Sequence, residues 1–517
     1  MYKKSFRESS KRKKKQSFPL QCNDEMDFQE CELAILRQAV DNIEDNTKRQ
    51  QKNSDDIVKM IQIVEMFLRD TKCICYGGIA INNILPQEAQ FYNQDVEIPD
   101  YDFYSKTPID HAKDLADRFY KAGYAEVEAK AGVHYGTYKV FVNFIPMADI
   151  TTLHTDLYDN LQKESMEIQG IHYSSPNFLR MNMYLELSRP DGDVSRWEKV
   201  LKRLTLLNKH YPMNSQNCHE INFQRELNTQ TLEDSSKLYY IVRDSLIDQK
   251  VIFFGGYAGS LYSKYTPDDK LRMIKQTPDF DAISENPELC ASIVIQKLND
   301  SGFSAAKLTK HDAIGEIIPS HYEITVDDET LGYIYQPIAC HNYNEIMIDK
   351  RSVRVATIDT ILSFYLAFLF SNHAHEDHKY KDRLLCMAKF LFDLGEKNRL
   401  SQVGLLKRFS LQCYGKQPTI ESIRAKKAEM FRKLHREKDK NEWEKWFLKH
   451  NPANLDKKRK DPKVASSSPL NSVLSSSSKR KKSKTKSSSE KTSKRATRKK
   501  SSIMKKFSLS KKSEFLF

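Results

Sequence analysis

Between residues 21 and 455, short apolar runs with the period of a strand take turns with longer stretches that have the period of a helix. Residues 56–70 (DIVKMIQIVEMFLRD) follow Ser54 as a cap and read as a helix. KCICY at 72–76 is a short apolar strand, ended by Gly77-Gly78. A polar loop leads to PDYDFYS at 99–105. Thr107-Pro108 then opens a helix that stops at Gly123, with Thr at the cap and Pro at the first helical position. HYGTYKVFVNF (134–144) alternates as a strand does, and PMADITTL (146–153) forms another. Ser175-Pro176 opens one more helix, and a long amphipathic one is expected from about Asp193 to His210.

The chain then does this again. VIFFGG (251–256) repeats KCICYGG, TPDFDAIS (277–284) repeats IPDYDFYS, and Asn286-Pro287 opens a helix ending near Gly302. IYQPIAC (334–340) is matched to NFIPMAD (143–149), which sets Cys340 opposite Asp149. The glycine pair precedes the first Asp of each Asp-x-Asp by 23 positions in one copy and 24 in the other. The pattern predicts a tandem duplication of one α/β (α+β) unit. The expected organisation is a tail at 1–20, a catalytic domain at 21–215, a degenerate second domain with C-terminal helices at 216–455, and a tail at 456–517. A length of 517 residues suits two or three domains.

Charge changes this picture in one respect. Lys and Arg number 83 against 69 Asp and Glu, but the first 20 residues carry +7 and residues 456–517 carry +17. The part between them is therefore acidic, at −10. The tails are Lys/Arg- and Ser-rich with few large apolar residues, so they read as disordered. They suit electrostatic binding of nucleic acid, or a nuclear-import or packaging signal. The N-terminus has no apolar run behind its basic residues, which excludes a secretory signal. The longest apolar stretch, Ile361 to Phe370, is far too short to span a bilayer. Nine scattered cysteines without a Cys-x-x-Cys pair read as reduced thiols of an intracellular protein.

Side chains two apart on a strand point the same way, about 7 Å apart. Asp100 and Asp102 therefore project together, and Asp149 joins them if its strand lies beside theirs. Three converging carboxylates repel one another unless a hard cation sits among them, and magnesium suits such oxygens. Two ions about 4 Å apart clamp both the attacking and the leaving oxygen of a phosphoryl transfer. Gly77 and Gly78 let backbone amides approach a phosphate closely, at the start of a helix. Each piece alone has an ordinary explanation as turn chemistry or a solvated carboxylate pair. Their order along the chain favours nucleotidyl transfer over the same fold kept only for binding. The second copy keeps Gly255, Gly256, Asp279 and Asp281 but not the third carboxylate. It is expected to be structural or an RNA platform, the alternative being two working sites.

Arg196, Lys199 and Arg203, spaced 3 and 4 apart, share a helix face with Arg189 just before it. That face suits ATP phosphates or RNA, or is simply solvated, with Lys199 as the favoured contact. His134, Tyr135, Thr137 and Lys139 are read as alternating on one strand, as base contacts or as packing. His373, His375 and His378 lack the pattern of a metal site, and Cys73 and Cys75 read as core.

The text CYGGIAINNILP (75–86), FYNQDVEIPDYDFYSKTPIDHAKDLADRFYKAG (91–123), VHYGTYKVFVNFIPMADIT (133–151) and LELSRPDGDVSRWEKVLKRLTLLNKHYP (185–212) resembles the poly(A) polymerase catalytic subunits of large, mimivirus-like nucleocytoplasmic DNA viruses, within the nucleotidyltransferase superfamily. The resemblance implies an ATP-dependent, template-independent polymerase that extends mRNA 3′ ends, with Mg2+ (or Mn2+) as cofactor and ATP as substrate. Asp100, Asp102 and Asp149 would hold the metals and carry catalysis, and Gly77, Gly78, Lys199 and Arg196 would hold the nucleotide. Many superfamily members have Ser after the two glycines; this chain has Ile79. The glycine pair comes only 76 residues in, leaving no room for the extra N-terminal domain of the poxvirus type. The resemblance thus implies a homodimer with RNA as partner, no membrane, and residence in the host cytoplasm at the viral factory and in the virion. The alternatives are a uridylyltransferase of the same fold and a non-catalytic RNA-binding scaffold.

Overall fold

The computed structural model describes residues 28–52, 55–92, 98–213, 218, 232–266 and 279–454. Both basic tails, at 1–20 and 456–517, lie outside the described residues, as do the first two residues of TPDFDAIS. Helices α1 (Phe28–Lys52) and α2 (Asp55–Thr71) lead into β1 (Ile74–Cys75), α3 (Gly77–Ile84), β2 (Tyr101–Ser105) and α4 (Pro108–Lys121). Thr107 stands at the N-cap of α4 with Pro108 behind it, but the hydroxyl makes no capping bond. Strands β3 (Val127–Ala131), β4 (Thr137–Val142) and β5 (Ile145–Thr152) follow, then α5 (Thr155–Glu164), β6 (Met166–Ile168), β7 (Ile171–Tyr173), α6 (Pro176–Leu187) and α7 (Trp197–His210).

The second passage runs α8 (Leu232–Asp248), β8 (Ile252–Phe254), α9 (Gly255–Tyr262), β9 (Phe280–Ile283), α10 (Pro287–Asp300), β10 (Lys307–His311), β11 (His321–Val326) and β12 (Glu329–Tyr335). It continues with β13 (His341–Ile348), β14 (Arg351–Ala356), α11 (Ile358–Phe368), α12 (Asn372–Glu376) and α13 (His378–Lys397). The chain closes with β15 (Cys413–Tyr414), α14 (Ile420–Glu437), α15 (Lys440–Phe447) and β16 (Lys449–His450).

Two mixed eight-stranded sheets result, ordered β16-β3-β4-β5-β2-β1-β7-β6 and β10-β11-β12-β9-β8-β14-β13-β15. Seven strands of one correspond to seven of the other, and their directions agree. The pairs β2/β5 and β9/β12 are parallel, as are β1/β7 and β8/β14. The pairs β1/β2 and β8/β9 are antiparallel. Only the added edge strand differs, β16 beside β3 and β15 beside β13.

This topology corrects one expected match. In the first sheet, β5 sets Asp149 opposite Asp102. The corresponding strand of the second sheet is β12, which sets Tyr333 opposite Asp281. Cys340 lies beyond the end of β12, in the link to β13. The Pro-x-Ala likeness misleads because hydrogen-bonded register assigns equivalence in a sheet, and the Pro337-to-Cys340 part of the second text falls beyond the end of β12.

Helices α6 and α11, which follow corresponding strands, pack on each other. Phe178 meets Phe370 edge-on at 4.9 Å, Asn160 Nδ2 donates to the Phe370 carbonyl at 3.0 Å, and the Asn342 amide donates to the Ser188 carbonyl at 2.9 Å. One apolar core runs through both sheets. Asp359 on α11 is fully buried and is held by Arg408, whose Nη2 donates to Oδ1 at 2.6 Å and Nε to Oδ2 at 3.3 Å. Disulfides join Cys218 to Cys386 and Cys340 to Cys413, each with Cα atoms 5.3 Å apart. The expectation of nine reduced thiols fails there, because pairs 168 and 73 residues apart are brought together only by the fold. Cys73, Cys75 and Cys290 are free and buried. Among the described residues, no helix is long and apolar enough to cross a membrane.

Candidate active site

β1 ends one residue before the glycine turn, and Gly77 adopts φ +69°, the left-handed region that a side chain disfavours. A Cβ on Gly77 would also lie 2.9 Å from Asp102 Oδ2. Helix α3 starts at that residue, and the Tyr76 amide donates to the Asp102 carbonyl at 2.9 Å. Backbone pairing thus places the turn against the carboxylate strand.

The parallel pairing of β2 with β5 sets Asp102 beside Asp149. Asp100 is exposed at the entrance to β2, Asp102 is half-buried, and Asp149 is 5% exposed. The structure therefore brings the three carboxylates to one end of adjacent strands. Withdrawal from water raises the pKa of Asp100, and the Asp149 charge adds to that, while Lys139 and Lys199 pull it down. Asp102 is pushed well above the usual carboxylate range, first by burial and then by Asp100 and Asp149, with Lys139 and Arg196 opposing. Burial raises Asp149 as well, and Lys139 counters it. Carboxylates that resist ionising together are what a divalent cation stabilises. The donor chemistry suits such an ion, with the ligand oxygens of the three carboxylates spread wider than 4.8 Å in this structure.

The sequence left Lys139 between a base contact and packing, and the structure packs it. It faces Asp149 across β4 and β5, with Nζ donating to Oδ2 at 2.5 Å, and is only 8% exposed. It stands as a buried counter-charge to that carboxylate. His134 and Tyr135 are not on that strand, which begins at Thr137. Tyr135 instead packs on Trp446 with ring centres 4.5 Å apart.

Helix α7 brings in the positive charge. Trp197 Nε1 donates to the Glu186 carbonyl at 3.1 Å, tying α7 to α6. Val200, Leu204 and Leu207 are buried, and Lys199 and Arg203 each precede a buried position. Lys199 acts on the Asp100 carboxyl and Arg196 on Asp102, each favouring the charged form. Arg196 lies 3.3 Å from Glu186 Oε1. Arg203 Nη2 donates to the Tyr92 hydroxyl at 3.0 Å, and its guanidinium lies over the rings of Phe91 at 4.8 Å and Tyr92 at 5.6 Å. Both groups stand directly over Gly78. Tyr92 was not singled out from the sequence, where nothing marks it. Arg189 is half-buried, and withdrawal from water pushes its guanidinium down to about 10.

The second sheet holds the same turn in a different state. Gly255 has φ +68°, but the Asp281 carboxylate fills the space over it, and Asp279 Oδ2 lies 2.5 Å from a Cβ built on Gly256. Among the described residues the three histidines form no ligand trio: His373 packs at a tilt against Tyr380 with ring centres 4.5 Å apart, and His375 Nε2 lies 3.8 Å from Glu164 Oε1. Among the described residues, the one trio of ligand-type atoms within 4.8 Å is Asp191, Cys340 and Cys413, whose sulfurs are bonded to each other.

Residues 62–193, which contain Gly77, Gly78, Asp100, Asp102 and Asp149, match the family described as "Poly(A) polymerase catalytic subunit". A putative poly(A) polymerase catalytic subunit of Acanthamoeba polyphaga mimivirus is 33% identical over 159 residues, 30% of this chain and 26% of that protein. One of African swine fever virus is 27% identical over 172 residues, 32% of this chain and 36% of that protein. The aligned part thus spans about a quarter to a third of these relatives. In fold the likeness is wider: the crystal structure of the Megavirus polyadenylate synthase superposes with a TM-score of 0.70 over 91% of this chain and 92% of that one, at 19% identity.

Proposed function

We propose that the protein is a template-independent RNA adenylyltransferase that adds a poly(A) tail from ATP at the site in the first sheet. The observation that carries this reading is the register that sets Asp149 beside Asp102, with Asp100 at the mouth of the same strand and the glycine turn behind it. The match of residues 62–193 to the poly(A) polymerase family supports ATP and RNA as the substrates.

In this reading Asp100, Asp102 and Asp149 would hold the divalent ions, with Asp149 serving the side of the attacking RNA 3′-hydroxyl. The bound ions supply charge neutralisation to the phosphate oxygens. Lys139 donates to Asp149 and opposes the rise in its pKa that burial causes. Lys199 and Arg196 place positive charge where the nucleotide's phosphates lie, and the amides of Gly77 and Gly78 approach them. The 3′-oxygen forms its bond to the α-phosphorus as the bond to pyrophosphate breaks, and its proton is lost to water. The protein's contribution is positioning and preorganised charge.

The matched topology of the two sheets supports a tandem duplication in which the second unit no longer turns over, since Tyr333 stands where a third carboxylate is needed. Homodimerisation, RNA tethering by the basic tails and residence at a cytoplasmic viral factory complete the proposal. The test incubates the purified chain with labelled short RNA, magnesium and each ribonucleotide separately, beside the Asp100→Ala, Asp102→Ala double variant. A ladder with ATP alone, absent in the variant, is expected. A ladder with UTP moves the reading to uridylyl transfer, and RNA binding without extension makes the protein a scaffold.

A further inference from the structure

Strand alternation puts a second row of side chains on the sheet face that carries the carboxylates. The first row is Asp102, Asp149 and Lys139, opposite one another on β2, β5 and β4. Two residues along, the same pairings set Tyr104 opposite Thr151 and Thr151 opposite Thr137. Thr151 Oγ1 lies 3.1 Å from Thr137 Oγ1 and 3.0 Å from the Tyr76 hydroxyl. The Tyr76 ring is stacked on that of Tyr104, with centres 4.0 Å apart and planes 15° from parallel, which holds its hydroxyl in place. Tyr76, Thr151 and Thr137 are each half-buried, so the row keeps access to solvent beside the carboxylates. Three hydroxyls joined by two hydrogen bonds use two of their three protons. The row therefore has one proton to give and lone pairs with which to accept.

We propose that the hydroxyl row of Tyr76, Thr151 and Thr137 holds the 2′-hydroxyl of the last ribose of the RNA, beside the 3′-oxygen that attacks. Its position assigns it to the RNA and not to the incoming nucleotide. β1 runs antiparallel to β2 with Ile74 beside Tyr104, so the glycine turn falls past Asp102, on the side away from the row. Phosphoryl transfer keeps its attacking and leaving oxygens in line. With pyrophosphate leaving toward the glycine turn, the attacking ribose stands on the other side of the carboxylates. There Thr151 follows Asp149 by two residues, about 7 Å along the strand. A ribose 2′-hydroxyl both donates and accepts, and so matches a row of hydroxyls as a DNA end does not. The second sheet provides the contrast within one chain. Its corresponding positions are Phe254, Ile283, Tyr335 and His321. There Phe254 and His321 pack their rings on Tyr335, at 5.2 and 4.5 Å between centres, and no row of linked hydroxyls forms. The inference rests on the RNA-extension reading, whose acceptor end it specifies.

The experiment uses the full-length parent, Thr151→Val and Tyr76→Phe with two short RNAs of one sequence, ending in a ribose or in a 2′-deoxyribose. Competition binding with magnesium and no nucleotide gives the ratio of their affinities, and extension with ATP gives the ratio of their KM values. A hydrogen bond between neutral groups is worth about fivefold in affinity. The parent is expected to favour the ribose end about fivefold or more in both ratios. Thr151→Val brings the ratios to about one, the loss falling on the ribose-ended RNA, and Tyr76→Phe lowers them in part. Tyr76→Phe removes a single oxygen, so it carries the test even if Thr151→Val does not fold. No preference in the parent, a preference intact in both variants, or equal weakening toward both RNAs overturns the assignment. So does a Thr151→Val protein that keeps the primer preference and loses discrimination between ATP and 2′-deoxy-ATP. A binding preference that Thr151→Val erases, in a protein that extends neither RNA, upholds the row and removes the polymerase reading.

Discussion

Asp102→Asn is expected to make the metal-free protein more stable. Carboxylates on neighbouring strands stand about 5 Å apart, and at an effective dielectric constant of about 20 two like charges at that distance cost about 3 kcal/mol. Lys139 and Arg196 offset part of this at Asp102. A net gain of about 1–2 kcal/mol remains for the neutral isostere, or about 1–2 °C in Tm for a chain of this length. The sign follows from the raised pKa. A carboxyl whose folded pKa lies above its unfolded one loses stability as pH rises from the unfolded value through the folded value. The parent's deficit is thus present at pH 8 in EDTA and absent near pH 3, where Asp102 is protonated in both states. Magnesium reverses the order, since an ion at about a hundred times its dissociation constant adds about 2.7 kcal/mol to the parent. Differential scanning calorimetry of both proteins, with EDTA and with magnesium, measures all of this. A variant less stable than the parent in EDTA at pH 8 refutes the reasoning, as does an equal gain from magnesium in both.

Asp281→Asn should leave RNA extension within about twofold, whereas Asp102→Asn should lower it about a thousandfold, because metal-held charge neutralisation contributes several kcal/mol; equal losses in an extension assay would mean two working sites. Arg408→Leu strands the buried Asp359 carboxylate and should cost about 3–5 kcal/mol in urea unfolding. Reducing Cys218–Cys386 and Cys340–Cys413 should lower stability by about 2–4 kcal/mol each, seen as a drop in Tm with dithiothreitol and absent in a Cys→Ser double pair. Removing residues 456–517 should weaken RNA binding and flatten the plot of log affinity against log salt by about 0.7 for each phosphate the tail neutralises. An unchanged slope removes the tether.

Which features the chain declares on its face depends on how far apart the interacting groups lie. The glycine pair, the Asp-x-Asp and the Thr107-Pro108 start are written within a few residues, and the period of the apolar positions carries the strands and helices around them. Repetition in text announced the corresponding strands as well, because β8 and β9 keep the words of β1 and β2. Lys139 and Asp149 were both visible, but not as a pair. Around the Asn143–Phe144 turn, plain pairing would set Asp149 opposite Tyr138; a bulge between Val140 and Phe141 shifts the register by one residue and brings Lys139 to it. Tyr333 displaced Cys340 as the counterpart of Asp149 for the same reason, since hydrogen-bonded register and not wording assigns places in a sheet. The Tyr92–Arg203 hydrogen bond spans 111 positions, and the disulfides span 168 and 73. Local stereochemistry and hydrophobic period are properties of short stretches, so they can be read directly. Pairings between distant segments exist only once the sheets have set their registers and the helices have packed on them.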